Sequence, residues 1–326
     1  MRDRLFRGAS FTFAFGLVAL LVLMVVVLST NGSRALSAFG IHFVTGRNWN
    51  PVAGREQFGA LPLIFGTLVT SAIALVLAVP IAIGLAVLLN ETGSGWLRHG
   101  LAVLVDLLAA VPSVVYGLWG VLVMAPVFDH HVEPFLRSTV GRIPLVGAIF
   151  RGNTNGGDLF TAGVILAVMI VPIVTAVTRE VIAVVPREQR EAAKALGATR
   201  YETVKMAVLP YVRSGVVGAT MLGLGRALGE TIAVLMVIGN NPTYIGASLF
   251  HQGETIPAVI ANEFREASSG GVHRSALLAL ALLLMAIAFL VASASRLVVR
   301  RARQLAEGSP PVTIEEIAIE TTRGMD

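Results

Sequence analysis

Of 326 residues, 55% are apolar and 14% are charged, and the mean hydropathy is +0.77. Ordinary soluble domains carry about 25% charged residues, so a disordered chain, a nucleic-acid-binding tail and nearly every soluble enzyme are excluded. There is no cysteine, which removes disulfide frameworks, zinc knuckles and thiol nucleophiles. The net charge of +5 is carried almost entirely by arginine, since the lysines are Lys194 and Lys205.

The apolar residues fall in long runs, the pattern of a membrane-spanning chain. Six spans are expected, at 11–29, 61–89, 101–128, 159–185, 214–238 and 275–299. The first follows a basic start, Arg2, Arg4 and Arg7. Its apolar run exceeds the roughly 7–15 residues of a signal-peptide core, so an uncleaved anchor is expected. Pro80, Pro112 and Pro172 lie inside spans, where each would kink its helix. Lys and Arg number 16 in segments 1–10, 90–100, 178–213 and 296–326, against 7 in 30–60, 129–158 and 239–273. That imbalance puts both termini on the cytoplasmic side. The outer loops are too short for full domains but long enough to dock a partner. The expected organisation is an N-terminal helix and outer loop (1–60), a five-span core (61–299) and a cytoplasmic tail (300–326), marked by proline and then mildly acidic.

The segment Pro186–Arg213 is polar and helical. Pro186 suits a first helical position, and Glu188 and Glu191 place negative charge where the helix dipole favours it. Glu191-Ala192-Ala193-Lys194-Ala195-Leu196 is built of strong helix formers, and Gly197 offers a left-handed stop. Thr199-Arg200-Tyr201-Glu202 is a capping box for a second helix, expected to end before Pro210. A DNA-binding helix-turn-helix has no room between two spans. An amphipathic connector resting on headgroups remains an alternative.

Glu191-Ala192-Ala193, then Gly197, then Val208-Leu209-Pro210 resembles the EAA motif of ABC-importer permeases. Further resemblances follow in chain order. Trp49-Asn50-Pro51, Phe58-Gly59-Ala60-Leu61-Pro62 and Gly66-Thr67 are similar to the start of phosphate permeases of the PstC type. Val111-Pro112-Ser113-Val114-Val115-Tyr116-Gly117 is similar to their third span, and Gly225-Arg226-Ala227-Leu228-Gly229-Glu230-Thr231 to their fifth. Gly239-Asn240-Asn241-Pro242, with Thr255 and Ile256, is similar to their last outer loop. The resemblance covers most of 45–265. It implies an all-α membrane protein with the type I ABC-importer permease fold, in a bacterial plasma membrane, whose cytoplasmic coupling helix docks on an ATPase through Glu191, Ala192, Ala193 and Gly197. It also implies a paralogous second permease (PstA type), an ATP-binding subunit dimer (PstB type) and an extracytoplasmic phosphate-binding protein (PstS type).

Arg226 falls at the centre of the expected fifth span, about 18 Å of helix from either end, beyond the reach of snorkelling. A mid-bilayer arginine costs about 2.5–3.5 kcal/mol on insertion scales, which marks it as functional. Glu230 stands at i+4 and can neutralise it. A planar guanidinium matches phosphate oxygens in two parallel bonds, and Glu230 would compete for it and let the anion leave. A structural ion bridge between helices is the plainer alternative. Gly225 and Gly229 make a small-xxx-small pattern and are expected to serve helix packing.

Asp106 is expected to serve a helix terminus. The adjacent His130 and His131 share no helix face, so no metal is expected. No phosphate-cradling Gly-x-x-x-x-Gly-Lys-Ser/Thr occurs, nor Gly-x-Ser-x-Gly, nor His-Glu-x-x-His. This chain is therefore expected to bind no cofactor and not to be an enzyme, with ATP and Mg on the partner ATPase. Membrane lipid is an expected partner and nucleic acid is not. A phosphate importer using alternating access is the favoured reading. A permease for sulfate or molybdate, and a proton-coupled secondary transporter using Arg226 and Glu230, are the rivals.

Overall fold

The computed structural model describes residues 2–91, 95–144 and 146–307. The acidic end of the expected tail, 308–326, lies outside the described residues. Six described helices are long and apolar enough to cross a membrane: Phe6–Phe39, Leu61–Glu91, Ser113–Arg142, Leu159–Ala183, Arg200–Leu228 and Val272–Leu297. Helix α1 (Arg2–Phe39) is longer than its expected span. A short helix α2 (His42–Thr45) and a two-residue hairpin, β1 (Trp49–Asn50) with β2 (Gln57–Phe58), then lead into α3 (Leu61–Glu91). The hairpin is antiparallel, with Trp49 opposite Phe58.

The expected third span, 101–128, is two elements. α4 (Gly95–Ala110) stops, and α5 (Ser113–Trp119) starts afresh with Pro112 as its N-cap in extended conformation. Pro112 lacks the N–H that would bond to the carbonyl of Leu108. The Tyr116 hydroxyl donates to that carbonyl instead, at 2.8 Å. The helix then runs past its expected end. It passes through a π-turn at Gly120–Met124, α6 (Ala125–Val127), a second π-turn at Phe128–Val132 and α7 (Glu133–Ser138). Its outer end was expected as loop.

α8 (Leu159–Ala183) is the central helix, buried over most of its length. Asp158 caps it by accepting from the Thr161 N–H at 2.9 Å. Ala74, Ala78, Ala82 and Ala86 line α3 at four-residue intervals, all fully buried, so α3 and α8 approach closely. On another side of α8 runs α11 (Leu209–Leu228), where Gly215 faces Val181 and Gly223 faces Val174 with no room for a Cβ.

The polar elbow holds α9 (Arg187–Ala195) and α10 (Arg200–Thr203). Pro186 is the N-cap of α9 rather than its first residue. The second elbow helix does not end before Pro210. It continues through a π-turn at Val204–Val208 into α11, with Pro210 in the first turn of the latter. The Leu209 N–H reaches back five residues to Val204, so the ladder is already widened where proline has no N–H to give.

The expected fifth span, 214–238, is also discontinuous. α11 ends at Leu228, and α12 (Ile232–Val237) resumes after Gly229-Glu230-Thr231. Last come α13 (Ile256–Glu263) and α14 (Val272–Glu307), which packs against the C-terminal third of α1 around Gly32 and Ala279. The hairpin, α13 and α14 are tied by a polar knot. Glu263 accepts from the Trp49 indole at 2.9 Å and lies 2.7 Å from His273 Nε2, with Phe58 stacked on the His273 ring.

Candidate functional site

Arg226 and Glu230 meet across the break in the fifth span. Arg226 sits in the last turn of α11, where helix carbonyls favour a cation. Glu230 lies in the break itself and accepts from the Ala233 N–H at 3.3 Å. Their side chains pair at 3.3 Å, Arg226 Nη2 to Glu230 Oε2. Glu230 retains 4% of its side-chain exposure and Arg226 retains 47%, so the carboxylate is enclosed while the guanidinium is open. Depth follows from α8. Gly223 packs against Val174 and Ile170, which flank the middle residue of α8, and Arg226 is less than one turn further along. The pair therefore lies beside the middle of α8, at the end of α11 rather than at the centre of an unbroken helix as expected.

Around it, one face of α11 is bare: Gly218, Leu222, Gly225, Arg226 and Gly229 are exposed. A Cβ on Gly225 would meet nothing within 4 Å, and one on Gly229 only the Gly225 carbonyl, at 3.5 Å. Inside this chain the tight glycine contacts of α11 are at Gly215 and Gly223. Among the described residues, no other element packs on Gly225 and Gly229.

The elbow has the predicted turn chemistry. Gly197 adopts φ +84°, and both bonds of the capping box between Thr199 and Glu202 are present. Glu191, Ala192 and Gly197 are exposed and Ala193 half-buried. Leu196, 90% exposed, and Tyr201 stand out as apolar side chains on a polar segment. A hollow of about 400 Å³ lies between Ala193, Gly197, Ala198 and Met206. Exposed apolar side chains around a hollow suit a docking partner.

Other groups were not foreseen. Arg190, in α9, reaches Glu91 at the end of α3, Nη2 to Oε1 at 2.9 Å. No local pattern links residues 99 positions apart. Asp106, expected to serve a helix terminus, lies within α4 and faces Arg179 of α8 at 3.9 Å. Asp158 is fully buried, and burial above all pushes its carboxyl up to about 6. Glu254 is pushed up to about 8, first by burial and then by the negative charge of Glu263. Gly66 has no room for a Cβ because the Glu254 carbonyl occupies that space, and the Thr67 hydroxyl accepts from the Ile256 N–H at 3.0 Å.

Residues 78–304 match the family described as binding-protein-dependent transport system inner membrane component. The chain belongs to that family. It is 44% identical over 299 residues to the phosphate transport system permease protein PstC of Pasteurella multocida, covering 92% of each chain. It is 41% identical over 302 residues to the protein of that name from Haemophilus influenzae, covering 93% of this chain and 94% of that one. Among solved structures, it is similar to a chain of a bacterial alginate ABC transporter, in complex with an alginate pentasaccharide-bound periplasmic protein. The TM-score is 0.58 at 18% identity, over 89% of this chain and 93% of that one. A chain of the inward-facing MetNI methionine ABC transporter matches with TM-score 0.51 at 19% identity, over 75% of this chain and 94% of that one. These likenesses carry the fold, that of type I ABC-importer permeases. The chain is a multi-pass membrane permease subunit and not an enzyme.

Proposed function

We propose that the chain is the permease subunit through which an ATP-driven importer moves inorganic phosphate into the cell. The observation that carries this reading is the 44% identity over 92% of both chains to a phosphate transport permease. The Arg226–Glu230 pair at the helix break supports it chemically. A guanidinium held in place by a single carboxylate keeps donors free for a tetrahedral oxyanion. The neighbouring bare face of α11, with Gly218, Gly225 and Gly229, leaves room for the solute between two permeases.

The partners follow from the same reading. A second permease of the PstA type covers the bare face of α11, and a phosphate-binding protein of the PstS type delivers the anion from outside. A dimer of ATP-binding subunits of the PstB type holds ATP and Mg and docks on the elbow through Glu191, Ala192, Ala193 and Gly197. Both termini and the elbow are cytoplasmic, consistent with the lysine and arginine imbalance. ATP-driven closure of the partner subunits moves the elbow and turns the Arg226 site from one side of the membrane to the other.

The test is uptake of labelled phosphate by the complex reconstituted in liposomes, with arsenate and sulfate as competitors. Phosphate uptake should require ATP and the binding protein, and arsenate should compete. Sulfate uptake exceeding phosphate uptake would reject phosphate as the substrate. Uptake without the ATP-binding subunits would reject the ATP-driven mechanism.

A further inference from the structure

Arg190 belongs to the elbow, yet its side chain points away from the exposed docking surface. It bonds to three acceptors. Nε donates to Glu91 Oε1 at 3.0 Å, and Nη2 approaches the same oxygen at 2.9 Å. Nη2 also donates to the Ile182 carbonyl at 3.0 Å, and Nη1 donates to the Val185 carbonyl. Glu91 is the last residue of α3, Ile182 is in the last turn of α8, and Val185 follows that helix. The Ile182 carbonyl already accepts from the Val185 N–H at 3.2 Å, and the guanidinium adds a bond to it while holding α3 as well.

The side chains of Arg190 and Glu91 keep only 18% and 15% of their exposure. Their attraction is accordingly less screened than that of a surface pair. The core nearby is tightly packed, with Ala86, Ile182, Val185, Val208 and Val212 all buried. Asn90, beside Glu91, donates to the Arg179 carbonyl at 3.1 Å, a second tie between α3 and α8. None of the residues of α9 is buried. The elbow helix thus sits outside the bundle and grips it with a fork.

We propose that Arg190 is the positioning residue that carries displacement of the elbow into α3 and α8, into α3 through Glu91 and into α8 through the Ile182 and Val185 carbonyls. This rests on the ATP-driven reading above. A residue that only capped α8 would need the carbonyls and not Glu91, and the substitution Glu91→Gln separates the two roles. Gln keeps the shape of Glu91, removes its charge and leaves the carbonyl bonds in place.

The experiment uses the whole reconstituted complex and reads phosphate uptake per ATP hydrolysed. Arg190→Gln should keep ATP hydrolysis while lowering that ratio about tenfold, within the usual range of coupling between sites. Glu91→Gln should lower the ratio in the same direction, and the double variant should be no worse than Arg190→Gln alone, because the two side chains act through each other. Wild-type coupling in Glu91→Gln overturns the proposal. So does an equal fall of hydrolysis and uptake in assembled Arg190→Gln complex, which is the signature of lost ATPase docking. A second measurement is independent of the solute. Spin labels at Gln189→Cys and Leu88→Cys should keep one separation across nucleotide states, and that constancy should disappear in Glu91→Gln. A separation that varies with nucleotide in the otherwise wild-type protein overturns the clamp. A wild-type complex that hydrolyses ATP and moves no phosphate defeats the substrate reading alone, and the label pair then decides the clamp.

Discussion

Replacing Arg226 by Lys separates charge from geometry at the helix break. Lysine keeps a cation beside Glu230, whose side chain is only 4% exposed, so the fold is not asked to bury an unpaired carboxylate. Alanine does ask this, and breaking a buried pair by removing one partner costs about 3–5 kcal/mol. What lysine gives up is the planar fork. A hydrogen bond to a charged group is worth about 1.5–3 kcal/mol net. Arg226 is 47% exposed, so solvent screening puts the loss at the lower end of that range. At about 1.4 kcal/mol per decade, phosphate uptake should fall about tenfold. The assay is initial uptake in liposomes at saturating binding protein, with complex yield and ATP hydrolysis followed in parallel. Undiminished uptake by Arg226→Lys would refute the argument from the fork. An Arg226→Ala protein as abundant and as heat-stable as wild type would show that Glu230 never needed its partner.

Three further substitutions probe the scaffold. Thr199→Ala removes the capping box of the elbow and should destabilise α10 by about 1 kcal/mol, read as less ATP-binding subunit retained on co-purification. Tyr116→Phe deprives the Leu108 carbonyl of its hydroxyl donor and should lower the thermal midpoint by the worth of about 1 kcal/mol; an unchanged midpoint would mean that water serves the break equally well. Glu254 has its carboxyl raised to about 8 by burial and then by the Glu263 charge, against about 4.3 in an unfolded chain. The folded state therefore holds the extra proton in that interval. The stability this gives is fully present at acid pH and is lost as pH rises from about 4 to about 8. Glu254→Gln should flatten that decline, and equal slopes of melting temperature against pH in both proteins would contradict it.

The spans are legible because the hydrocarbon core demands long apolar runs whatever the fold. The elbow is legible for a different reason. Capping and left-handed turns are decided within a few residues, so Gly197 and the Thr199 box form as expected. The outer motifs are distant in sequence yet converge: Trp49 stacks edge-on against Phe58, and Thr67 accepts from Ile256. What local pattern does not disclose is how a helix responds to a missing N–H. At Pro172 α8 continues, at Pro210 the helix has already widened by one residue, and at Pro112 it breaks, with the Tyr116 hydroxyl bonded to the Leu108 carbonyl. These outcomes are settled by neighbours in space. The Arg190–Glu91 pair is hidden for the same reason, since only the packing of α3 on α8 brings the two together.

The two broken spans meet each other. Gly117 of α5 packs against Ala233 and Met236, and Gly120 against Ile165 and Val237, so α5, α12 and the N-terminal half of α8 form one block. α11 packs on the C-terminal half of α8 around Val174 and Val181. Arg226 is on one side of the join and Glu230 lies within it. A rotation of α11 against α12 would move the two backbones that carry the pair relative to each other, which a continuous helix would not allow. This gives the break a use in releasing an anion from Arg226, and it makes Gly229 the residue to alter. Its φ of −96° suits any residue, and a Cβ would meet only the Gly225 carbonyl, at 3.5 Å. Gly229→Ala should therefore fold normally, with an unchanged thermal midpoint. Alanine favours helix over glycine by about 1 kcal/mol, a bias of about fivefold toward extending α11 through the break. Phosphate uptake should fall by about that factor while complex yield holds. Full uptake in a stably folded Gly229→Ala protein would show that the break does not flex during transport.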